Sequence, residues 1–411
     1  MGSAPKKLVD VEEALRIVRT HAEASIPPEV EQVPLLDAAS RVLAEAVHAD
    51  RDQPAFDRST RDGFAVHAVA LSGGGSVRVL GQVRAGAVWG AVLPRDAAVE
   101  IMTGAPMPDG ADAVLMVEHA VLREGLLSMA AGRSLSAGEN VVARASEARG
   151  GEEVLGIGTL LGAAEIALAA SCGCAQLRVF GRPNVAIVAT GDELVELHDN
   201  LGPQQIRNSN SYAIAAMVAS AGGSPMRLAI AHDAKQEIRE RIVEGRTAAL
   251  LVLSGGVSMG TYDLVEEVLE EFGAEFFFTG VKMQPGKPLV FGRLPASETH
   301  AEQYFFGLPG NPISTQVTFL CFAAPFLRAL TGATNAAPRW AQATLAEDLA
   351  AKVGVTRLMP CSLSGVLAHP VRSQSSGDLR ANARANCYAE LLPGRTYSSG
   401  TLVRVLLTDR T

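Results

Sequence analysis

The stretch Ala248-Ala249-Leu250-Leu251-Val252-Leu253-Ser254-Gly255-Gly256-Val257-Ser258-Met259-Gly260-Thr261-Tyr262-Asp263 decides how the rest of the chain reads. A short run of apolar and β-branched residues reads as a buried strand, and the glycines end it. Glycines and serines in that turn let the backbone approach a ligand with its amides free to face an anion. Downstream, Gln284-Pro285-Gly286-Lys287-Pro288 is a tight turn presenting one ammonium. Leu308-Pro309-Gly310-Asn311-Pro312-Ile313-Ser314 then opens a long apolar helix, with Asn311 suited to the N-cap and Pro312 to the first helical position. A helix N-terminus is a natural anion seat. Three anion-favouring turns between Ser254 and Ser314 read as one site.

Around this stretch, residues 183–331 alternate strand and helix. Strands are expected at 185–189, 228–230, 248–253, 275–278 and 289–291, and helices at 211–218, 234–244 and 264–271. That alternation predicts a central three-layer α/β unit with a mostly parallel sheet. Ligands of such sheets sit beyond the carboxyl ends of the strands. The first strand ends in Thr190-Gly191-Asp192-Glu193-Leu194, the second near His232-Asp233 and the third in the Ser254–Asp263 loop, so the informative polar residues share one rim.

The flanking segments have another character. Residues 8–22 read as an amphipathic helix, followed by a short helix at 38–44 and an extended segment at 46–49. Residues 51–146 carry short apolar runs broken by glycine and proline, predicting a β-rich inserted domain. Helical character resumes over 147–180, with a helix at 163–170 and a strand at 177–180. Residues 335–411 suggest a small β-barrel or sandwich. These changes of character mark segments at 8–50, 51–146, 147–180, 181–331 and 335–411.

The chain has 411 residues, 48% of them hydrophobic, which predicts large cores rather than disorder. A formal net charge of −8 argues against general nucleic-acid binding, so positive charge for an anionic substrate must be local. Cys172-Gly173-Cys174 lacks zinc-type or redox spacing, and reduced thiols are expected. No signal-peptide pattern follows the N-terminus. The apolar stretch 317–327 contains Pro325 and reads as too short to span a bilayer. A soluble, cytoplasmic protein is expected, with neither nucleic acid nor membrane as partner.

Glu193, Asp233 and Asp263 are carboxylates from three strand ends, and carboxylates beside a phosphate site can hold Mg²⁺. Each also reads as a helix-capping acid. Lys287 is a point charge for phosphate or another oxyanion, or else a surface lysine. Ser314 can donate to the same anion or cap its helix. The histidines show no metal-ligand spacing, no Gly-x-Gly-x-x-Gly follows residues 185–189, and no Ser/His/Asp arrangement is identifiable. Residue logic reaches an α/β protein binding an anionic small molecule with a metal ion, and stops short of a reaction.

The motifs in order, Ser59-Thr60-Arg61-Asp62-Gly63-Phe64-Ala65, Met102-Thr103-Gly104-Ala105-Pro106, Ala189-Thr190-Gly191-Asp192-Glu193-Leu194, Asn208-Ser209-Asn210, Ser254-Gly255-Gly256-Val257-Ser258, Pro285-Gly286-Lys287-Pro288 and Leu308-Pro309-Gly310-Asn311-Pro312, carry a resemblance. Together they resemble the molybdopterin molybdenumtransferase family, the MoeA proteins and the gephyrin E domain, over essentially the whole chain. The resemblance implies four domains: an elongated N-terminal domain over 8–50 with 147–180, an inserted β domain over 51–146, a MogA-like α/β domain over 181–331 and a C-terminal β-barrel over 335–411. It implies insertion of molybdate into adenylylated molybdopterin, with release of AMP and Mg²⁺ assistance. It also implies a homodimer whose site lies between the α/β domain of one subunit and the inserted domain of the other. The upstream adenylyltransferase and recipient molybdoenzymes are further implied partners.

Carried over by motif, Lys287, Ser314 and Arg357 resemble molybdate-facing groups, and Glu193, Asp233 and Asp263 the acidic metal and catalytic cluster. Asp62 and Thr103 would come from the partner subunit. Ser254, Gly255, Gly256, Val257 and Ser258 resemble the pterin-phosphate or nucleotide cradle. Thr190, Gly191, Asp192, Pro285, Gly286, Pro309, Gly310 and Asn311 complete the implied substrate-binding set. The chain departs from the family pattern at Arg61, Phe64, Glu152-Glu153 and Gln284, the last removing one positive charge. Three alternatives stand beside this reading: a molybdopterin adenylyltransferase, a tungstate-inserting homologue and a non-catalytic scaffold.

Overall fold

The computed structural model describes residues 7–256 and 264–408. Its centre is a six-stranded sheet in the order Ser224–Arg227, Asn184–Ala189, Leu250–Ser254, Gln303–Leu308, Val290–Leu294, Glu275–Phe278. The first four strands are parallel, Val290–Leu294 runs against them, and Glu275–Phe278, antiparallel to Val290–Leu294, returns to their direction. Side chains alternate across it with the period of two that a pleated strand imposes. Val185, Ile187, Leu250 and Val252 face the helices Val11–Glu23, Asn210–Ser220 and Pro312–Leu330. Ala186, Val188, Leu251 and Leu253 face Lys235–Gly245 and Leu264–Glu271. Helices on both faces make the three layers expected from the alternating pattern.

Several expectations are corrected. The first helix is Val11–Glu23, capped by Asp10 accepting the Glu13 N–H at 2.9 Å. Leu8–Val9 is instead a strand alongside Gly280–Val281, and the helix packs on the central sheet. The helix at 38–44 is absent: a 3₁₀ turn covers Leu35–Ala38, and Val42 and Leu43 make bridges to Leu160 and Val179. The edge strand is Ser224–Arg227, not 228–230; its proline is tolerated because an edge strand leaves one side unpaired. The strand Gln303–Leu308 was not foreseen, although it is fully internal to the sheet.

The helix opened by Asn311 and Pro312 runs from Pro312 to Leu330, 19 residues, and so extends beyond the apolar stretch 317–327. It is long and apolar enough to cross a bilayer by length and composition, where the sequence reading had it too short. A π-type turn at Phe319–Ala323 lets it continue past Pro325. Its most apolar window is 78% buried inside the protein, where it serves as the main core helix.

The strands Val30–Pro34 and Val47–His48 pair with Gln176–Phe180 and Glu153–Leu155, closing a bracket around the intervening chain. Within the bracket lies a second six-stranded sheet, ordered Ala113–Met116, Gly63–Val66, Ala97–Ile101, Ser76–Val83, Leu126–Met129, Ala120–Arg123. Past the core helix, Thr356–Ser364, Leu367–Pro370, Trp340–Leu345, Leu402–Leu407 and Cys387–Leu391 pair in a closed ring, a β-barrel rather than a sandwich. The five cysteines are free, as expected.

Two contacts lock the barrel to the central unit. Arg404 forms a fork on the buried Glu390 at 2.7 Å and reaches Glu12 of the first helix at 2.9 Å. Met283–Gln284 adds as a parallel strand to the barrel, setting Gln284 beside Arg357.

Candidate functional site at the sheet rim

Parallel strands deliver their carboxyl ends to one edge, and a cavity of about 870 Å³ lies there. Three rim loops come from Asn184–Ala189, Leu250–Ser254 and Gln303–Leu308, and Ala231–Asp233 follows the edge strand. Backbone bonds splice them: the Thr190 N–H donates to the Ser254 carbonyl at 2.9 Å, Gly255 to Leu308 at 3.2 Å and Gly191 to Ala231 at 3.1 Å. The unforeseen strand Gln303–Leu308 is what carries Pro309-Gly310-Asn311 to this edge. Val290–Leu294 runs the opposite way, so its start, with Pro288, arrives at the same rim.

Thr190, Gly191, Glu193, Asp233, Ser254, Gly255, Gly256, Pro309, Gly310 and Asn311 all line the cavity. Asp192 stands behind it and accepts the Asp233 N–H at 2.9 Å, fixing one acidic loop against the other. Asp233 does not cap the next helix, whose N-cap position is Ala234. Gly255 has φ +93°, and a Cβ there would meet the Thr190 carbonyl oxygen at 2.4 Å, so this turn requires glycine. Asn311 and Pro312 occupy the expected cap and first helical positions, but the Asn311 side chain makes no capping bond.

Lys287, Pro285, Gly286, Ser314 and Arg357 lie outside the lining set. Lys287 is exposed, one residue from Pro288, which does line the cavity. Ser314 is buried, and Arg357 donates to the Ala350 carbonyl at 3.1 Å. Asp62 and Thr103 belong to the other sheet and bond each other: the Thr103 N–H and hydroxyl donate to one Asp62 oxygen at 2.7 and 2.9 Å. Those bonds, the backbone one first, hold the Asp62 carboxyl below its ordinary range. Val257, Ser258 and Asp263 lie outside the described residues.

Two lining groups had no assigned role in the sequence reading. Ile206–Asn210 forms one wall, and Gly377 with Leu379, from the barrel side, forms another. Asn210 is the tie among the loops: its Nδ2 donates to the Gly310 carbonyl at 2.7 Å and the Ser254 hydroxyl at 3.1 Å. On the barrel side, the Ile313 N–H donates to the Ser376 carbonyl at 3.0 Å, and Asn382 donates to Gln316 at 2.8 Å. The only available signals were the Asn208-Ser209-Asn210 motif and a turn at Ser375–Asp378.

Among the described residues no cluster of three or more His, Cys, Asp or Glu could hold a metal ion. Glu193 and Asp233 share the cavity, and two carboxylates suit Mg²⁺, which keeps several waters and takes substrate oxygens as its remaining ligands.

Fold and site together define an α/β protein with a polar, glycine-lined cavity at the end of parallel strands. Comparison with known proteins narrows this class. Three family models match in order: the MoeA N-terminal region (domain I and II) over residues 9–173, a probable molybdopterin binding domain over 186–329 and the MoeA C-terminal region (domain IV) over 342–408. The molybdopterin molybdenumtransferase of Bacillus subtilis (strain 168) is 35% identical, covering 97% of this chain and 94% of the relative. A molybdopterin biosynthesis MoeA protein from Pyrococcus horikoshii OT3 superposes with TM-score 0.79 at 26% identity, covering 98% of this chain and all of the other. A second Pyrococcus MoeA structure gives TM-score 0.72 at 29% identity, covering 98% of this chain and 99% of that one. The chain belongs to the molybdopterin molybdenumtransferase family.

Proposed function

We propose that this chain is a transferase of molybdenum cofactor biosynthesis that inserts molybdate into adenylylated molybdopterin, breaking the phosphoanhydride and releasing AMP. The observation that carries the reading is the rim cavity. Two carboxylates, a glycine-lined turn and the Pro309–Asn311 loop line one volume, in a chain that resembles named transferases along nearly its whole length. The Gly255–Gly256 turn seats the pterin phosphate or nucleotide, because its backbone can approach without a Cβ in the way. Asp192 positions the Asp233 loop. Lys287, beside the cavity edge, and Arg357, set next to Gln284, attract the oxyanion. Glu193 and Asp233, with Asp263, would hold Mg²⁺, which when bound neutralises charge on the breaking phosphoanhydride.

The working unit in this reading is a cytoplasmic homodimer. The Asp62–Thr103 pair lies outside the cavity of its own chain, so the partner's pair would complete the site. The four domains 8–50 with 147–180, 51–146, 181–331 and 335–411 are part of the same proposal.

The test is AMP release from adenylylated molybdopterin, with and without molybdate and Mg²⁺. Release that depends on molybdate is expected. Pterin binding without any release would overturn the transferase reading in favour of a scaffold. AMP transfer from ATP would point to an adenylyltransferase, and release with tungstate alone to a tungstate-inserting enzyme.

A further inference from the structure

We propose that Arg207 is a phosphate-contact residue of the rim cavity, an inference that rests on the substrate class proposed above. The argument begins with charge. Among the described residues lining the cavity, Arg207 is the only lysine or arginine, and Glu193 and Asp233 are the only carboxylates. A phosphorylated ligand entering there meets two like charges and one opposite charge. The opposite charge is therefore the group that draws the phosphate to one side of the cavity.

Arg207 is also uncommitted. Among the described residues it makes no ion pair, and its one hydrogen bond uses Nε, donating to the Leu197 carbonyl at 3.2 Å. The terminal nitrogens of the guanidinium, the pair that forks onto phosphate oxygens, are not engaged by that bond.

Its mount is well defined. Ile206–Arg207 pairs in parallel with Leu194–Val195, and the Ile206 N–H donates to the Glu193 carbonyl at 2.8 Å, putting the cation and the carboxylate of the site in fixed register. The next residue, Asn208, is buried; its N–H bonds the Val195 carbonyl at 2.9 Å and its side chain accepts the Ser211 N–H at 3.2 Å.

A second, independent observation points to a ligand in the same cavity. Thr190, also a lining residue, is 3% exposed, and among the described residues its hydroxyl has no hydrogen-bond partner. It lies under the Gly255–Gly256 turn, where a Cβ on Gly256 would come within 2.8 Å of it. A buried hydroxyl without a partner is costly, and a phosphate oxygen held between this floor and Arg207 would relieve it.

The experiment compares full-length wild type, Arg207→Gln and Arg207→Lys. KM and kcat for molybdate-dependent AMP release are measured together with direct binding of AMP and of adenosine at two salt concentrations. Arg207→Gln should raise KM by about tenfold, more than it lowers kcat, with Arg207→Lys recovering part of the loss. If the contact is to the adenylyl phosphate, AMP affinity falls by a similar factor while adenosine affinity does not, and the salt dependence of AMP binding weakens. If it is to the pterin phosphate, KM rises with AMP affinity unchanged. Unchanged KM and AMP affinity in Arg207→Gln, with wild type active, would overturn the inference. Equal losses for AMP and adenosine, with no rescue by lysine, would likewise overturn it, because they mark a structural role. Inactive wild type would instead strike the proposed function itself.

Discussion

Removing the Asn210 side chain should loosen the rim by an amount that the structure lets one work out. Asn210 opens the helix Asn210–Ser220, and its amide donates to the Gly310 carbonyl at 2.7 Å and the Ser254 hydroxyl at 3.1 Å. Gly310 is exposed, so in Asn210→Ala its carbonyl regains water and the loss is about 0.5 kcal/mol. Ser254 is buried, and stranding its hydroxyl costs about 1 kcal/mol or somewhat more. The variant should therefore be destabilised by about 1–2 kcal/mol, read as a lower urea midpoint with unchanged m-value. A double-mutant cycle with Ser254→Ala isolates the pair: the combined variant should lose less than the sum of the two, by about 1 kcal/mol. AMP release should fall as well, because the Gly255 and Gly310 loops no longer hold one geometry. Additivity within about 0.3 kcal/mol, with activity intact, would refute the claim that Asn210 ties these loops.

Thr103→Val removes one of the two donors on Asp62, and the backbone donor, the larger cause, remains. A carbon NMR titration should then show the Asp62 pKa rising only part of the way to its ordinary 3.8. In the unaltered protein the folded-state pKa is the lower one, so the loop's stabilisation is present above 3.8 and is lost as pH falls through the depressed value. Inactive Asp62→Ala and Glu193→Ala chains, mixed and allowed to exchange subunits, should recover part of the activity; no recovery counts against a shared site. Lys287→Ala should raise the molybdate requirement far more than it weakens pterin binding, and equal effects on both would contradict its assignment to the oxyanion. Gly255→Ala should abolish AMP release with circular dichroism little changed, since its Cβ cannot coexist with the Thr190 carbonyl at 2.4 Å; full activity would show that the turn can rearrange.

Much of the site was legible because its signals are local. Gly255 and Gly256 announce a turn that only glycine fits, and Thr190-Gly191-Asp192-Glu193 follows directly on an apolar run, so both loops could be placed on one rim before any contact was known. The wall from Ile206 to Asn210 was not legible as a wall. Arg207 looks like any surface arginine until the ribbon beside Leu194–Val195 carries it into the cavity. Gly377 and Leu379 belong to a loop that folds over a helix start more than sixty residues earlier in the chain. Two prolines sit inside regular elements: an edge strand absorbs Pro225, and a widened turn carries the core helix past Pro325. In each case the neighbouring structure supplied what the proline could not.

By itself, the sequence determined the three-layer centre, the strand-end position of the site and the need for glycine at its turns. Each depends on side-chain periodicity or backbone sterics within a few residues. Only the tertiary structure decided that Gln303–Leu308 stands inside the sheet, that the first helix packs against it and that Arg357 comes to rest beside Gln284. These are pairings between distant segments. They are set by which apolar faces and strand edges remain to be covered, and no local pattern records that.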